Sequence, residues 1–124
     1  MSNIYKEIIL DHWRNPHNFG KLKSPTKKSY AINPSCGDEI QIDLIIKKEK
    51  IKEVKFSGRG CAISQASASL LTDYIKGKSI KDLKKIDEKT IIKLLGIKIS
   101  PTRMKCALLP LETLETLNHD RNKH

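Results

Sequence analysis

Residues 30–58 read YAINPSCGDEIQIDLIIKKEKIKEVKFSG. Ile40, Ile42 and Leu44 fall on alternate positions and Ile46 continues the series, the period of a strand with one buried face. Val54 and Phe56 begin a second alternation after the polar run at 47–50. Two alternating runs around a short polar turn predict a β-hairpin. Ile51 is out of step with Val54 and Phe56 and fits the turn better. A third strand is expected near Lys28–Asn33. The segment NPSCGD, residues 33–38, breaks the sheet before Glu39.

On either side of this block the period becomes helical. At the start, Ile4, Ile8 and Trp13 lie near helical spacing, with Ile9 and Leu10 beside them. Asn15-Pro16 stops that helix, and Asn18 to Gly20 completes the exit. Residues 21–28 form a basic, proline-containing connector. After the hairpin a helix is expected from Ile63, with Ala66, Leu70 and Asp73 or Tyr74 on one side, ending at Gly77. Ser79 to Asp82 opens a short helix with a capping-box-like pattern. DEKTIIKLLG, residues 87–96, predicts another, acidic at its start and stopped by Gly96. ISPTRMKC, residues 99–106, reads as a loop. The last helix then starts close to Cys106, which places Pro110 in a tolerated first turn, with Leu108, Leu111 and Leu114 to Leu117 as its apolar stripe. The polar tail at 118–124 is expected to fray.

The length of 124 residues suits one domain spanning 1–124 with a real core. Hydrophobic residues make up 38% and charged residues 31%, which places the chain among ordinary folded proteins rather than disordered ones. No run approaches the roughly 20 apolar residues that span a bilayer. The first residues lack a signal-peptide pattern, so a cytoplasmic location is expected and no membrane partner. The net charge is +10. The lysines are scattered over several elements, and aromatic residues amount to only 5%, which disfavours a nucleic-acid stacking platform. A lysine-rich solvated surface, or docking to an acidic protein, accounts for the charge.

Three cysteines, Cys36, Cys61 and Cys106, cannot all pair within one chain, and without an export signal a disulfide framework is not expected. All three lie at element boundaries, where function concentrates. Cys61 and Cys106 precede or open helices, with Arg59, Arg103 and Lys105 nearby. A helix N-terminus and a cation both favour a thiolate. Asp38 is two residues from Cys36, and in an extended stretch the two would point the same way and bite one ion together. The wide spacings, with no CxxC, suit a site assembled from distant loops rather than a zinc finger. Three readings stay open on spacing alone: a metal or persulfide site, three unrelated buried thiols, or a catalytic Cys–His pair. His12, His17, His119 and His124 have no motif tying them to a cysteine.

Four blocks, YKEIILDHWRNPHNFG (5–20), NPSCGDEIQIDL (33–44), FSGRGCAISQASASLLTD (56–73) and SPTRMKCALLPLETL (100–114), resemble in order the signatures of the IscU/SufU (NifU N-terminal-like) iron–sulfur cluster assembly proteins. The resemblance covers essentially the whole chain. It implies an α+β fold in which a three-stranded antiparallel sheet carries helices on one face, with a metal site at one exposed end. It implies Cys36, Cys61 and Cys106 as cysteine ligands and Asp38 as ligand or tuning aspartate. It also implies sulfur delivery as persulfide from a pyridoxal-phosphate cysteine desulfurase. Three features resemble the SufU branch: Lys105 stands where the IscU branch has histidine, GCAISQAS runs over 60–67, and Arg103 and Lys105 precede Cys106. The 45-residue step from Cys61 to Cys106 is IscU-like, because SufU proteins carry an insertion there. Ile99-Ser-Pro-Thr-Arg103 replaces the IscU motif gripped by a chaperone.

The expected function is therefore sulfur acceptance at a Zn²⁺ site of Cys36, Asp38, Cys61 and Cys106. Cys36 is the acceptor and Arg103 gives electrostatic support. The alternative is a scaffold on which iron and sulfide form a transient [2Fe–2S] cluster for apo iron–sulfur proteins or downstream assembly factors. A binding protein with a purely structural zinc site is the third reading. The chain is at most a sulfur acceptor or transferase that acts with the desulfurase.

Overall fold

The structure, a computed structural model, describes the backbone of residues 2–122 and the side chains of Ile4 and residues 6–116. Three strands, β1 (Lys27–Ile32), β2 (Glu39–Lys47) and β3 (Lys50–Arg59), pair antiparallel in the order β1-β2-β3. Helix α1 (Ser2–Arg14) precedes them, and α2 (Ala62–Ile75), α3 (Ile80–Leu83), α4 (Glu88–Leu95) and α5 (Pro101–Asn122) follow. The fold is α+β. Ile40, Ile42, Leu44, Val54 and Phe56 are buried beneath the helices, with α2 against β3 and α5 against β1 and β2.

The hairpin turn is tighter than the polar run suggests. Lys48 and Glu49 both take left-handed backbone angles, φ 53 and 65, as a two-residue turn between twisted strands requires. Ile51 belongs to β3, not to the turn. Ile46 pairs with Ile51 but Ile45 pairs with Glu53, so the register shifts. A bulge inserts one residue and resets the alternation. Ile51 is thereby buried on the same side as Val54 and Phe56 although it is three residues from Val54. The turn end is clasped by the chain after α2: Gly77 donates to Ile51, Ile51 to Lys78, and Ile80 to Glu49, at 2.8, 2.8 and 2.9 Å.

Helix α1 does not bury the expected stripe. Ile4, Ile8 and Trp13 are exposed, while Ile9 and His12 face α2. His12 can turn inward because Ser69 satisfies its ring nitrogen at 2.7 Å, which removes most of the burial cost of a polar group. Residues 18–20 then run beside β3. Phe56 donates to Asn18 and Gly20 to Phe56, each at 2.8 Å, and Phe19 meets Phe56 edge-on at 5.3 Å.

α2 has no single buried stripe either. It packs against α1, α4, α5 and β3, so Ile63, Ala66, Ser67, Ala68, Ser69, Leu71 and Ile75 are all buried. Small residues let neighbours approach on several sides. Leu70 is only partly covered, and Asp73 and Tyr74 are exposed. The Ser79 cap, which accepts from Asp82 N–H, and the left-handed Gly96 end of α4 are as expected.

The last helix departs most from expectation. Residues 101–106 are helical, not loop: α5 starts at Pro101, a first-turn position that loses nothing by lacking an N–H. Pro110 therefore sits inside the helix, where it gives the Cys106 carbonyl no i+4 donor. The neighbouring Ala107 carbonyl accepts from Ser67 Oγ of α2 at 2.6 Å. The backbone of 118–122 continues α5, while 123–124 of the expected tail and the side chain of Leu117 lie outside the described residues.

Candidate metal centre

The antiparallel meander brings the site together. Ile32 pairs with Glu39, and Glu39 pairs with Arg59. The β1–β2 loop and the exit of β3 must therefore lie at the same end of the sheet. The loop carries Cys36 and Asp38, and the exit carries Cys61.

Asn33 organises the loop. Its N–H donates to Asp38 O at 2.8 Å, its carbonyl accepts from Gly37 N–H at 2.8 Å, and its side-chain oxygen accepts from Ser35 N–H at 3.0 Å. Cys36 and Asp38 do not share an extended face as the i, i+2 spacing suggested, because Gly37 is left-handed at φ 79 and folds the chain between them. The loop nonetheless returns both side chains to one place. Donor atoms of Cys36, Asp38 and Cys106 all lie within 4.8 Å of one another.

Cys61 is the N-cap of α2, so its backbone rather than its side chain shapes the junction. Its N–H donates to Asp38 Oδ2 at 3.3 Å. Its thiol acts on both Asp38 and Cys106, although it stands outside the mutual 4.8 Å group. Cys106 is not at a helix mouth but in the second turn of α5, and it is buried. Its thiol is pushed well up rather than down, by burial first and then by the Cys61 and Cys36 sulfurs beside it. Of the two cysteines expected at helix starts, only Cys61 stands at one. Cys36 is the exposed thiol.

Asp38 is buried and ionised. Burial pushes its carboxyl up, but hydrogen bonds from Cys61 N–H, the Ser64 hydroxyl and the Cys106 and Cys61 thiols together outweigh it and hold it below the usual range. The Ser64 hydroxyl also lies 3.1 Å from Cys61 O, so its single proton is shared between that carbonyl and Asp38. Sequence reasoning missed Ser64, and the available signal was its position three residues after the N-cap. Arg103 is exposed on the first turn of α5. Lys105 and Thr102, rather than Arg103, line an open depression of about 370 Å³ above Cys36 and Cys106.

The donor set fits a tetrahedral thiolate-rich ion. Zn–S bonds of roughly 2.3 Å put two coordinated sulfurs about 3.8 Å apart. Cys36 Sγ and Cys106 Sγ are 3.9 Å apart. Among the described residues, no helix is long and apolar enough to cross a membrane.

The model of the NifU-like N-terminal domain family matches residues 4–119. The zinc-dependent sulfurtransferase SufU of Bacillus subtilis is 35% identical, with 93% of this chain and 89% of that protein covered. The iron–sulfur cluster assembly scaffold protein IscU 1 of Archaeoglobus fulgidus is 32% identical over 90% of this chain and 72% of its own. The crystal structure of a candidate SUF-system scaffold protein from Fervidobacterium islandicum superposes with a TM-score of 0.77 at 36% identity, covering 91% of this chain and 95% of that one.

Proposed function

The chain belongs to the NifU-like N-terminal domain family, and we propose on that premise that it serves iron–sulfur cluster assembly as a zinc-site sulfur acceptor. Cys36, Asp38, Cys61 and Cys106 would hold the ion. Bound zinc would keep the thiols deprotonated and shield them from oxidation. The observation that carries the reading is the contrast among the thiols: Cys36 is exposed while its partner at 3.9 Å, Cys106, is buried. The Cys36 sulfur is therefore the one that a donor protein can reach.

The donor is a persulfide on a pyridoxal-phosphate cysteine desulfurase. Cys36 Sγ bonds to the terminal sulfur of that persulfide, the donor S–S bond breaks, and the donor cysteine leaves as thiolate. The transfer is redox-neutral. Asp38 would stay in place when Cys36 reacts, held by the Cys61 N–H and the Ser64 hydroxyl. Arg103 and Lys105, exposed at the start of α5, offer positive charge to the partner beside the depression.

The test is transfer of isotopically labelled sulfur from a cysteine desulfurase, read by mass spectrometry of the intact chain. Label is expected on wild type and absent from a folded Cys36→Ser variant, and label retained by that variant refutes the assignment. The scaffold reading draws on the IscU relatives and uses the same four residues to hold a [2Fe–2S] cluster as cargo. Anaerobic reconstitution separates the two. A stable visible cluster supports the scaffold, whereas zinc that iron does not displace, with desulfurase turnover raised by the protein, supports the relay.

A further inference from the structure

A second group of ligating side chains lies where α1 and its exit meet α2. His12 is buried, and its Nδ1 is 2.7 Å from Ser69 Oγ. The same hydroxyl accepts the backbone N–H of His17 at 2.8 Å. One serine thus fixes the ring of the first histidine and the backbone of the second, and the two rings lie 4.4 Å apart. Asp73 is one turn further along α2. Its Oδ2 is 2.6 Å from His17 Nδ1, and its Oδ1 accepts from Asn18 Nδ2 at 2.8 Å. His12, His17 and Asp73 each offer a donor atom, all within 4.8 Å of one another. The side chains of His17 and Asp73 are 49% and 44% exposed, so an ion can enter.

The sulfur chemistry uses none of these residues. Asp73 lies twelve residues along α2 from Cys61, about 18 Å at 1.5 Å per residue. Two imidazole nitrogens and one carboxylate oxygen suit a divalent transition metal whose remaining positions take water. Calcium and magnesium, which take oxygen ligands, do not match the donors. Ser69 and Asn18 already make the outer contacts that orient such ligands. We propose that His12, His17 and Asp73 bind one divalent transition-metal ion of the zinc class. This site shares no residue with the cysteine centre, and it pins α1 and its exit to α2.

The test counts ions on the full-length, reduced protein with zinc and cobalt as probes. Wild type is expected to bind two equivalents per chain. His17→Gln and Asp73→Asn each reduce this to one and leave the thiolate-to-cobalt charge-transfer band intact. Cys36→Ser perturbs that band but keeps the second equivalent. A failure of the cysteine centre is therefore distinguishable from a failure of this one. A single wild-type equivalent that carries the thiolate-to-cobalt band, or two equivalents that survive in both His17→Gln and Asp73→Asn, would overturn the proposal and leave an ion pair only. Should either variant fail to fold, zinc-induced shifts of the His12 and His17 ring signals in the wild-type NMR spectrum decide. Unshifted rings overturn the proposal.

Discussion

Replacing Gly60 by alanine tests whether the turn before α2 is shaped around Asp38. A Cβ there would press on Ser64 Oγ and lie 3.2 and 3.3 Å from Asp38 Cγ and Oδ2. Gly60 is not among the positive-φ glycines, so the backbone itself is not strained by the change. Ser64 can turn aside about one bond, but it then gives up its contacts with Asp38 and the Cys61 carbonyl. A lost hydrogen bond costs about 0.5–1.5 kcal/mol, and an under-satisfied buried acceptor about 1–3 kcal/mol. The metal-free variant should lose about 1–3 kcal/mol by urea denaturation, with an unchanged dependence on denaturant. Weakened outer support of a ligand costs roughly 10–100-fold in metal affinity, to be read by competition with a chelator. Gly58→Ala is the control. Its φ is +132 and the new Cβ would meet the Glu39 backbone carbonyl, which cannot rotate away, so its stability loss should be the larger. Gly60→Ala with wild-type metal affinity, or with a stability loss equal to that of Gly58→Ala, would refute the reasoning.

Burial separates the thiols thermodynamically. Cys106→Ser buries a hydroxyl and should cost the metal-free protein about 1–3 kcal/mol, whereas Cys36→Ser, at an exposed position, should change stability by less than about 0.5 kcal/mol. Equal urea midpoints for the two would count against the assigned environments. On α2, Leu71→Ala removes a fully buried side chain and should cost about 2–5 kcal/mol, with Leu70→Ala costing clearly less, and a reversed order in thermal melts would mean that the helix presents the other face. Stability of the metal-free protein should also fall at both pH extremes. Asp38, held low in the fold, contributes stability above the ordinary carboxylate value of 3.8 that is lost as pH drops through its folded value. Cys106, raised in the fold, contributes stability below the ordinary thiol value of 9.0 that is lost as pH climbs above it. Asp38→Asn should shrink the acid limb of the urea-midpoint profile, to which Asp87 also contributes, and Cys106→Ala the alkaline one, to which Tyr30 also contributes, and limbs unchanged by these substitutions would assign the titration elsewhere.

The strands were legible because Ile40, Ile42 and Leu44 alternate without interruption. Ile51 was not, because a bulge is a property of two paired strands and leaves no mark in one. The face of α1 was misread because hydrophobicity pointed to Ile4, Ile8 and Trp13, while His12 is drawn inward by a hydroxyl 57 residues away. Helix α5 starts earlier than Pro110 suggests, because Pro101 already occupies the tolerated first turn. At the site, the gathering of cysteines at element boundaries was readable. The route was not: Cys36 and Asp38 meet through a left-handed glycine rather than an extended strand, and Ser64 carried no signal beyond its distance from a cap.

The clasp on the β2–β3 turn gives the sheet two unlike ends. At Lys48–Glu49 the hairpin is tied by three backbone bonds to residues 77–80. At the other end the β1–β2 loop bonds mainly to itself through Asn33, and its Asp38 side chain reaches the start of α2 through the Cys61 N–H at 3.3 Å and the Ser64 hydroxyl. Such a sheet behaves like a cantilever, rigid at its root and free at its tip. Amide hydrogen exchange would sort along its length, slower near Ile51 and Ile80 and faster at residues 35–37, where the Ser35 and Gly37 amides bond only within the loop. The Cys36 sulfur proposed as the acceptor rides on the tip, so on that proposal it swings toward a partner at the cost of a local opening, while the root keeps the core closed.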